Sequence, residues 1–448
     1  MPSPVKGLIT IFWHELRSLL SGRAWWAMLL IMTPLTGYGF VEATRLFGEA
    51  SGTALQFPEL ARGMAPLDGI LVPTMGAFYL GTTLLFPFVA IRSVGQDKES
   101  GAMKLLLQWP LPTGSVIMAK LAVVGAAWLA SLTIPLSALF FWWLAGGHLA
   151  LAETLNLFAG HALYALAVAG IAFFAATLTE SSATAAIVAL AFTLGFWVLD
   201  FAAAADPEWL KVLGEASPTQ ALKQFERGLF SLSHALELAT LGLGLTALAT
   251  TQLSPGLTAF SRRFRAVTGG GILLLVLMAV SVVSFSVDVS EDRRNSFNPA
   301  DEAALAHMNL GLTVTLHLVP EDSRAGEYAA NILSKLKRLV PHLTVRWADT
   351  GKAGFFGSTS EDRYGLITYD YSNRHAESRS NSPREILPLL HNLAGVKVTP
   401  AIDNPYPGYP VIVDSQFTKI WFYGVLPALI LFGGLCFSRS GKRFHKLP

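Results

Sequence analysis

Eight apolar stretches, each close to the roughly 20 residues that carry a helix across a bilayer, limit what this chain can fold into. They run at about Ala24–Val41, Ile70–Ile91, Val116–Leu144, Leu155–Leu178, Ala183–Ala203, His234–Thr251, Gly269–Val287 and Lys419–Phe437. In hydrocarbon each backbone N–H and C=O must be satisfied within its own segment, so such stretches fold as helices. Composition agrees: 52% of the 448 residues are hydrophobic and 14% charged, against about a quarter charged in soluble domains. The charges are sparse up to about residue 285, dense from Asp288 to Asp414, and sparse again. That distribution reads as a membrane domain, an inserted soluble domain and a closing span. Pro34, Pro87, Pro135 and Pro427 fall inside spans, where neighbouring groups re-satisfy the freed carbonyls. Val41-Glu42-Ala43 resembles a signal-peptide cleavage site, but the 23 residues before the first stretch and the spans after it favour a retained helix.

Lys and Arg set orientation. Lys6, Arg17 and Arg23 precede the first span, Arg92, Lys98 and Lys104 follow the second, Arg262, Arg263 and Arg265 follow the sixth, and Arg439, Lys442, Arg443 and Lys446 follow the eighth. An even number of spans puts these clusters and both termini in the cytoplasm. The loop from Glu42 to Asp68 and the soluble insert then lie outside, as do Lys211, Lys223 and Arg227, against the trend. Trp25-Trp26, Trp142-Trp143 and Trp421-Phe422-Tyr423 stand at span ends, where interfacial aromatics belong. In residues 5–20, Leu8, Ile9, Phe12, Leu16, Leu19 and Leu20 share one helical face, as in a helix lying on the cytoplasmic surface.

The insert has an α/β pattern. Asn298-Pro299-Ala300-Asp301 opens a helix with an N-cap, a proline and an acid in the first turn. Leu312–Val319 alternates as a half-buried strand, Glu327–Val340 carries one apolar helical face, and Leu343–Trp347 and Gly365–Tyr371 read as further strands. Ser382-Pro383-Arg384-Glu385 reads as a capping box for a helix closed by Gly395. The order suggests a small thioredoxin-like sandwich. A single cysteine, Cys436, excludes a disulfide framework and thioredoxin redox chemistry; it lies in an apolar stretch. His317, His342, His375 and His391 lack metal-ligand spacing and read as solvated.

Several chemistries find no support. The stretch from Gly434 to Lys442 has the wrong spacing for a phosphate-binding loop, and Arg443 stands where Ser or Thr is needed. Gly242-Leu243-Gly244 and Gly269-Gly270-Gly271 suit close helix packing better than nucleotide binding. No catalytic, cofactor-binding or metal-binding residue is expected, and the net charge of +2 gives no nucleic-acid footprint. Glu180, Asp200 and His161 sit near span ends, and the bare span interiors argue against an ion-coupled carrier.

Between the second and third spans lies DKESGAMKLLLQWPLPTGSVIMAK, residues 97–120. Glu99-Ser100-Gly101, Leu105-Leu106-Leu107, Pro110, Ile117 and Lys120 resemble the pattern after the second span of ABC type-2 exporter permeases. Ser217-Pro218 followed by Phe225-Glu226-Arg227-Gly228 is similar to the segment before the sixth span in that family, with Gln220 or Ala221 where the family has histidine. This resemblance covers about residues 5–255. Asp288–Arg293, Ser296–Pro299 and Val314–Leu316 resemble the start of gliding-motility-type (Gld G) auxiliary subunits, whose outer part is longer and includes an amidotransferase-like domain absent here.

The resemblance implies a polytopic, mainly α-helical fold. It comprises an interfacial helix (1–23), a six-span permease domain (24–253), a cytoplasmic linker (254–268), a seventh span (269–287), an extracytoplasmic α/β thioredoxin-like domain (288–418), an eighth span (419–437) and a basic tail (438–448). It further implies a dimer of permease units in the bacterial inner membrane. A separate ABC ATPase subunit would bind ATP and Mg, and a periplasmic partner or cargo would meet the outer domain. Glu99, Gly101, Lys104, Leu105, Leu106, Trp109 and Pro110 would form the ATPase-coupling helix; Ser217, Pro218, Phe225, Arg227 and Gly228 would form the motif before the sixth span. The other reading is a mechanical scaffold that relays ATP-driven motion without transport.

Overall fold

The computed structural model describes residues 4–202, 214, 216–319, 322–348, 363–398 and 406–444. Ala203, Lys211 and Lys446 of the sequence reading lie outside the described residues. The chain divides into two compact units, Met1–Val287 with Pro407–Pro448, and Asp288–Tyr406.

In the first unit, eight helices among the described residues are long and apolar enough to cross a membrane. They are Arg23–Gln56, Leu67–Glu99, Thr113–Leu144, Leu151–Leu178, Ser182–Asp200, Leu232–Leu253, Ala259–Ser281 and Gln416–Phe437, spans one to eight below. Spans one and seven depart most from the sequence reading, and span two continues past the expected Ile91 to Glu99. Span one does not end at Val41 but continues through the expected loop to Gln56, 34 residues, or about 51 Å. Arg45 pairs with Glu42 and Glu49 along its exposed side, while Thr44, Phe47, Ser51 and Ala54 are buried. The linker expected at 254–268 is largely helical: Thr258 caps Ser261 N–H at 3.2 Å, and Ala259–Ser281 is one helix that carries the arginines into span seven. Span seven ends at Ser281, six residues before the expected Val287.

Prolines mark the breaks. Span two is interrupted at Leu85 before Pro87 and span three at Leu132 before Pro135, and a π turn, Trp421–Val425, precedes Pro427. The helix of span one runs through Pro34. Span four is the most enclosed and meets span six almost backbone to backbone: a Cβ on Gly170 would strike the Gly242 carbonyl. Span seven packs on span six through Gly244 against Leu273 and Gly269 against Leu248. Span eight packs on span one: Phe422 is fully buried against Gly37 and Phe40, and Gly433 and Gly434 cradle Trp26. The tryptophan pairs are less interfacial than expected. Trp25 and Trp142 are buried, donating to the Ala127 and His148 carbonyls, and Trp143 alone of these pairs is widely exposed.

The segment before span eight belongs to the membrane unit and not to the insert, whose expected end was residue 418. Val411 N–H donates to Ser51 Oγ at 3.0 Å, Tyr409 N–H donates to the Met64 carbonyl at 3.0 Å, and the Tyr409 ring stacks on His148 at 3.6 Å.

The second unit is a four-stranded sheet in the order Leu343–Trp347, Leu312–Leu316, Ile367–Tyr371, Arg374–Ser378. The first pair is parallel and the other two pairs are antiparallel. Leu312, Val314 and Leu316 point into a core shared with Ile332, Leu336, Ile367, Tyr369 and Ile386. Strand Arg374–Ser378 was not read from the sequence; it follows a tight turn in which Ser372 has φ of 55°. Asp288 organises the following loop by accepting from Ser290 N–H, Ser290 Oγ and Asn295 N–H. The capping box at Ser382 does not form: Ser382 makes no side-chain cap, and its N–H goes to Ser380 Oγ at 3.0 Å. His391 is not solvated but buried, 3.2 Å from Asp301. His375 lies between Asp370 (2.7 Å) and Glu377 (2.9 Å).

Candidate functional site

Residues 97–120 form a helix end, a tight turn, one short helix and the start of span three. Gly101 makes the turn, with φ of 79° at the N-terminus of the helix Ala102–Leu106. A Cβ there would meet nothing within 4 Å, so backbone conformation, not space, selects glycine. The short helix has two faces. Met103 is buried and Leu107 packs on the membrane-unit core, while Lys104, Leu105, Gln108, Trp109 and Pro110 are exposed. Leu106 is half-buried. Pro110 and Pro112 then end the turn, and Thr113 begins span three.

Glu99 is exposed, and its Oε1 accepts from the Ser182 N–H at 2.7 Å, capping the start of span five. Lys98 donates to the carbonyl of Thr179 at 2.5 Å and sits 3.5 Å from Glu180. Span two is thereby tied to the turn between spans four and five.

Lys120, the last residue of the first motif, has a role that the sequence did not show. Lys120, fully buried four residues past the start of the apolar stretch at Val116, donates to Glu15 Oε1 at 2.6 Å, to Asp97 Oδ2 at 2.6 Å and to the Ser93 carbonyl at 2.8 Å. Glu15 is buried too, on the amphipathic helix Pro4–Ser21, which breaks from span one at Gly22 and packs on span three. Burial pushes the Glu15 carboxyl up, against the pull of Lys120. All three ammonium protons are used, so the triad is a fully satisfied buried network. It joins the amphipathic helix, span two and span three. A lysine inside an apolar stretch was the available signal; its partner at Glu15 is 105 residues away and carries no local signature.

The second motif lies at the far end of span five, whose 19 residues from Ser182 to Asp200 cover about 28 Å. Ser217 caps the helix Pro218–Glu226, and its Oγ also donates to the Phe196 carbonyl at 3.0 Å. Phe225 is fully buried against Gly160, and its carbonyl accepts from Asn156 Nδ2 at 2.9 Å. Arg227 is exposed at the helix end, and Gly228 turns the chain with φ of 76°. Buried His161 stands 3.7 Å from Glu226, whose carboxyl burial pushes up to about 7. The two motifs are therefore at opposite ends of one bundle. The first presents an outward face; the second holds a short helix against spans four and five.

Among the described residues no group of three or more His, Cys, Asp or Glu is arranged to hold a metal ion. No curated protein and no solved structure matches the chain. A family model described as ABC-2 family transporter protein matches residues 9–288, from the amphipathic helix through span seven. The chain belongs to the ABC-2 transporter family and is a multi-pass membrane permease of the kind that serves an ABC exporter.

Proposed function

We propose that the chain is the non-catalytic membrane subunit of an ATP-driven exporter of the bacterial inner membrane, working as a dimer, with the 97–120 end in the cytoplasm. A separate ABC ATPase, which binds ATP and Mg, docks on the helix Ala102–Leu106. One observation carries this reading: Lys104 and Leu105 on the helix Ala102–Leu106, with Gln108 and Trp109 in the turn after it, form an exposed, mixed apolar and polar face between spans two and three, which the Lys120–Asp97 pair ties together. Exposed aromatic and aliphatic anchors with few charges are what a protein partner buries. A push on that face has a stiff path into spans two and three.

The insert is then an extracytoplasmic docking module for cargo or a periplasmic partner, related to gliding-motility-type auxiliary domains. Its strand order, with the first strand between the second and third, supports a thioredoxin-like reading. A purely mechanical output has one observation in its favour: the segment that returns from the insert is bonded to span one at Ser51, so movement of span one would pull on it.

The test is co-purification of ATPase activity with the tagged full chain. Leu105→Asp and Trp109→Asp should each lose most of the associated ATPase while melting like wild type. Full retention of the ATPase by both variants would remove the docking assignment. Flux of candidate cargo in proteoliposomes separates export from mechanical coupling.

A further inference from the structure

Residues 259–268, the start of the helix Ala259–Ser281, carry three guanidinium groups and no acid. Arg262, Arg263 and Arg265 are exposed, and none of them forms an ion pair among the described residues. The sequence offers no compensation nearby: there is no Asp or Glu from Leu238 to Val287. The arginines therefore add to the positive end of the helix dipole. Phe260, Phe264 and Val267, spaced i, i+4 and i+7, share one side of the helix, and they are 79%, 61% and 75% exposed. The stripe continues through Gly271, Leu275 and Met278 of span seven, a helix with no buried residue. Gly269 and Leu273, which pack on span six, lie on the opposite side.

Charge selects the occupant. The apolar stripe alone would take any acyl chain, but three uncompensated cations beside it call for an anion. A second copy of this chain fits poorly, because a two-fold contact through this surface would set its arginines against their counterparts. We infer that residues 259–268 dock an anionic phospholipid. Phe260, Phe264 and Val267 lie at the boundary between acyl chains and headgroups, and Arg262, Arg263 and Arg265 bind headgroup phosphates. Continuity of the stripe with the exposed apolar side of span seven sets it at that depth. The docking rests on exposure and charge, and on neither the exporter reading nor the identity of the leaflet.

The experiment places the full chain in phosphatidylcholine nanodiscs with a rising fraction of phosphatidylglycerol and follows amide hydrogen exchange in residues 259–268. Exchange should slow as the anionic lipid rises and quicken again with added salt. Each arginine changed alone to Gln should raise the phosphatidylglycerol fraction needed for half the effect by about fivefold. Arg262→Gln, Arg263→Gln and Arg265→Gln together should abolish the response. Lysine at all three positions keeps the charge and should keep the response, which separates lost binding from a misformed helix. If the triple Gln variant melts abnormally, the single variants decide. Equal exchange in the two lipids, or a wild-type lipid response in the triple Gln variant, would overturn the assignment. So would loss of the co-purifying ATPase in that variant with its lipid response intact, which would identify an acidic protein surface as the occupant. Leu105→Asp, which tests the ATPase site, should leave the lipid response unchanged, so failure of one reading leaves the other standing.

Discussion

Lys120 has no water to fall back on, which makes its two carboxylates obligatory. Removing one member of a buried ion network leaves the others desolvated and uncompensated, at a cost of about 3–5 kcal/mol. Lys120→Met should therefore lower the unfolding temperature strongly, because Glu15 and Asp97 would face each other without a cation. Glu15→Gln keeps the hydrogen bond to Lys120 and leaves a one-to-one charge balance with Asp97. It should melt near wild type yet loosen the amphipathic helix, read as faster hydrogen exchange in residues 4–21. Equal melting of Lys120→Met and wild type would mean that the triad is not formed in the bilayer. In the insert, Asp322 offers a pH test. Its bonds from the Arg324 side chain and N–H and from the Tyr364 hydroxyl hold its carboxyl down at about 2. The folded value lies below the unfolded one, so this contribution is complete above the ordinary aspartate range and is lost as pH falls through about 2. A carboxyl-carbon NMR titration should show Asp322 ionised at pH 3. Arg324→Ala should bring its midpoint back toward the ordinary value.

At the scale of elements, helix existence was legible because the apolar stretches are long and the bilayer permits nothing else. Helix ends were not. Span one outran its apolar stretch because Arg45 and its two glutamates make a stable exposed face over a buried one, a pattern that hydropathy scores as loop. The strand Arg374–Ser378 escaped because its residues are charged or small and its turn uses a serine with positive φ in place of glycine. Of the coupling residues, the sequence could name Glu99 and Gly101 but not their partners; those depend on which span ends meet. Gly101 allows a separate test. An alanine there costs about 1–2 kcal/mol in the left-handed region without any clash. Gly101→Ala should reduce ATPase association with little change in melting, and Gly101→Asn, which tolerates that conformation, should retain more of it. If alanine and asparagine behave alike, the turn is not the constraint.

At the scale of the molecule, the junction between the family domain and the rest of the chain is the point of interest. The family match ends at residue 288, yet span eight and the residues before it belong to the membrane unit. Phe422 is fully buried in a notch that exists because position 37 is glycine, and Trp26 lies across Gly433 and Gly434. Small residues that let helices approach are what hold spans together where lipid supplies no hydrophobic drive. The attachment should then survive loss of covalent continuity through the insert. With a protease site placed in the insert and a tag at the C-terminus, cleavage in mild detergent should leave the N-terminal fragment bound to the tagged span eight. Gly37→Leu should release it, since the new side chain occupies the place of the Phe422 ring. Separation of the wild-type fragments would show that span eight is held only by its tether, and the proposed mechanical path from span one to the insert would lose its footing.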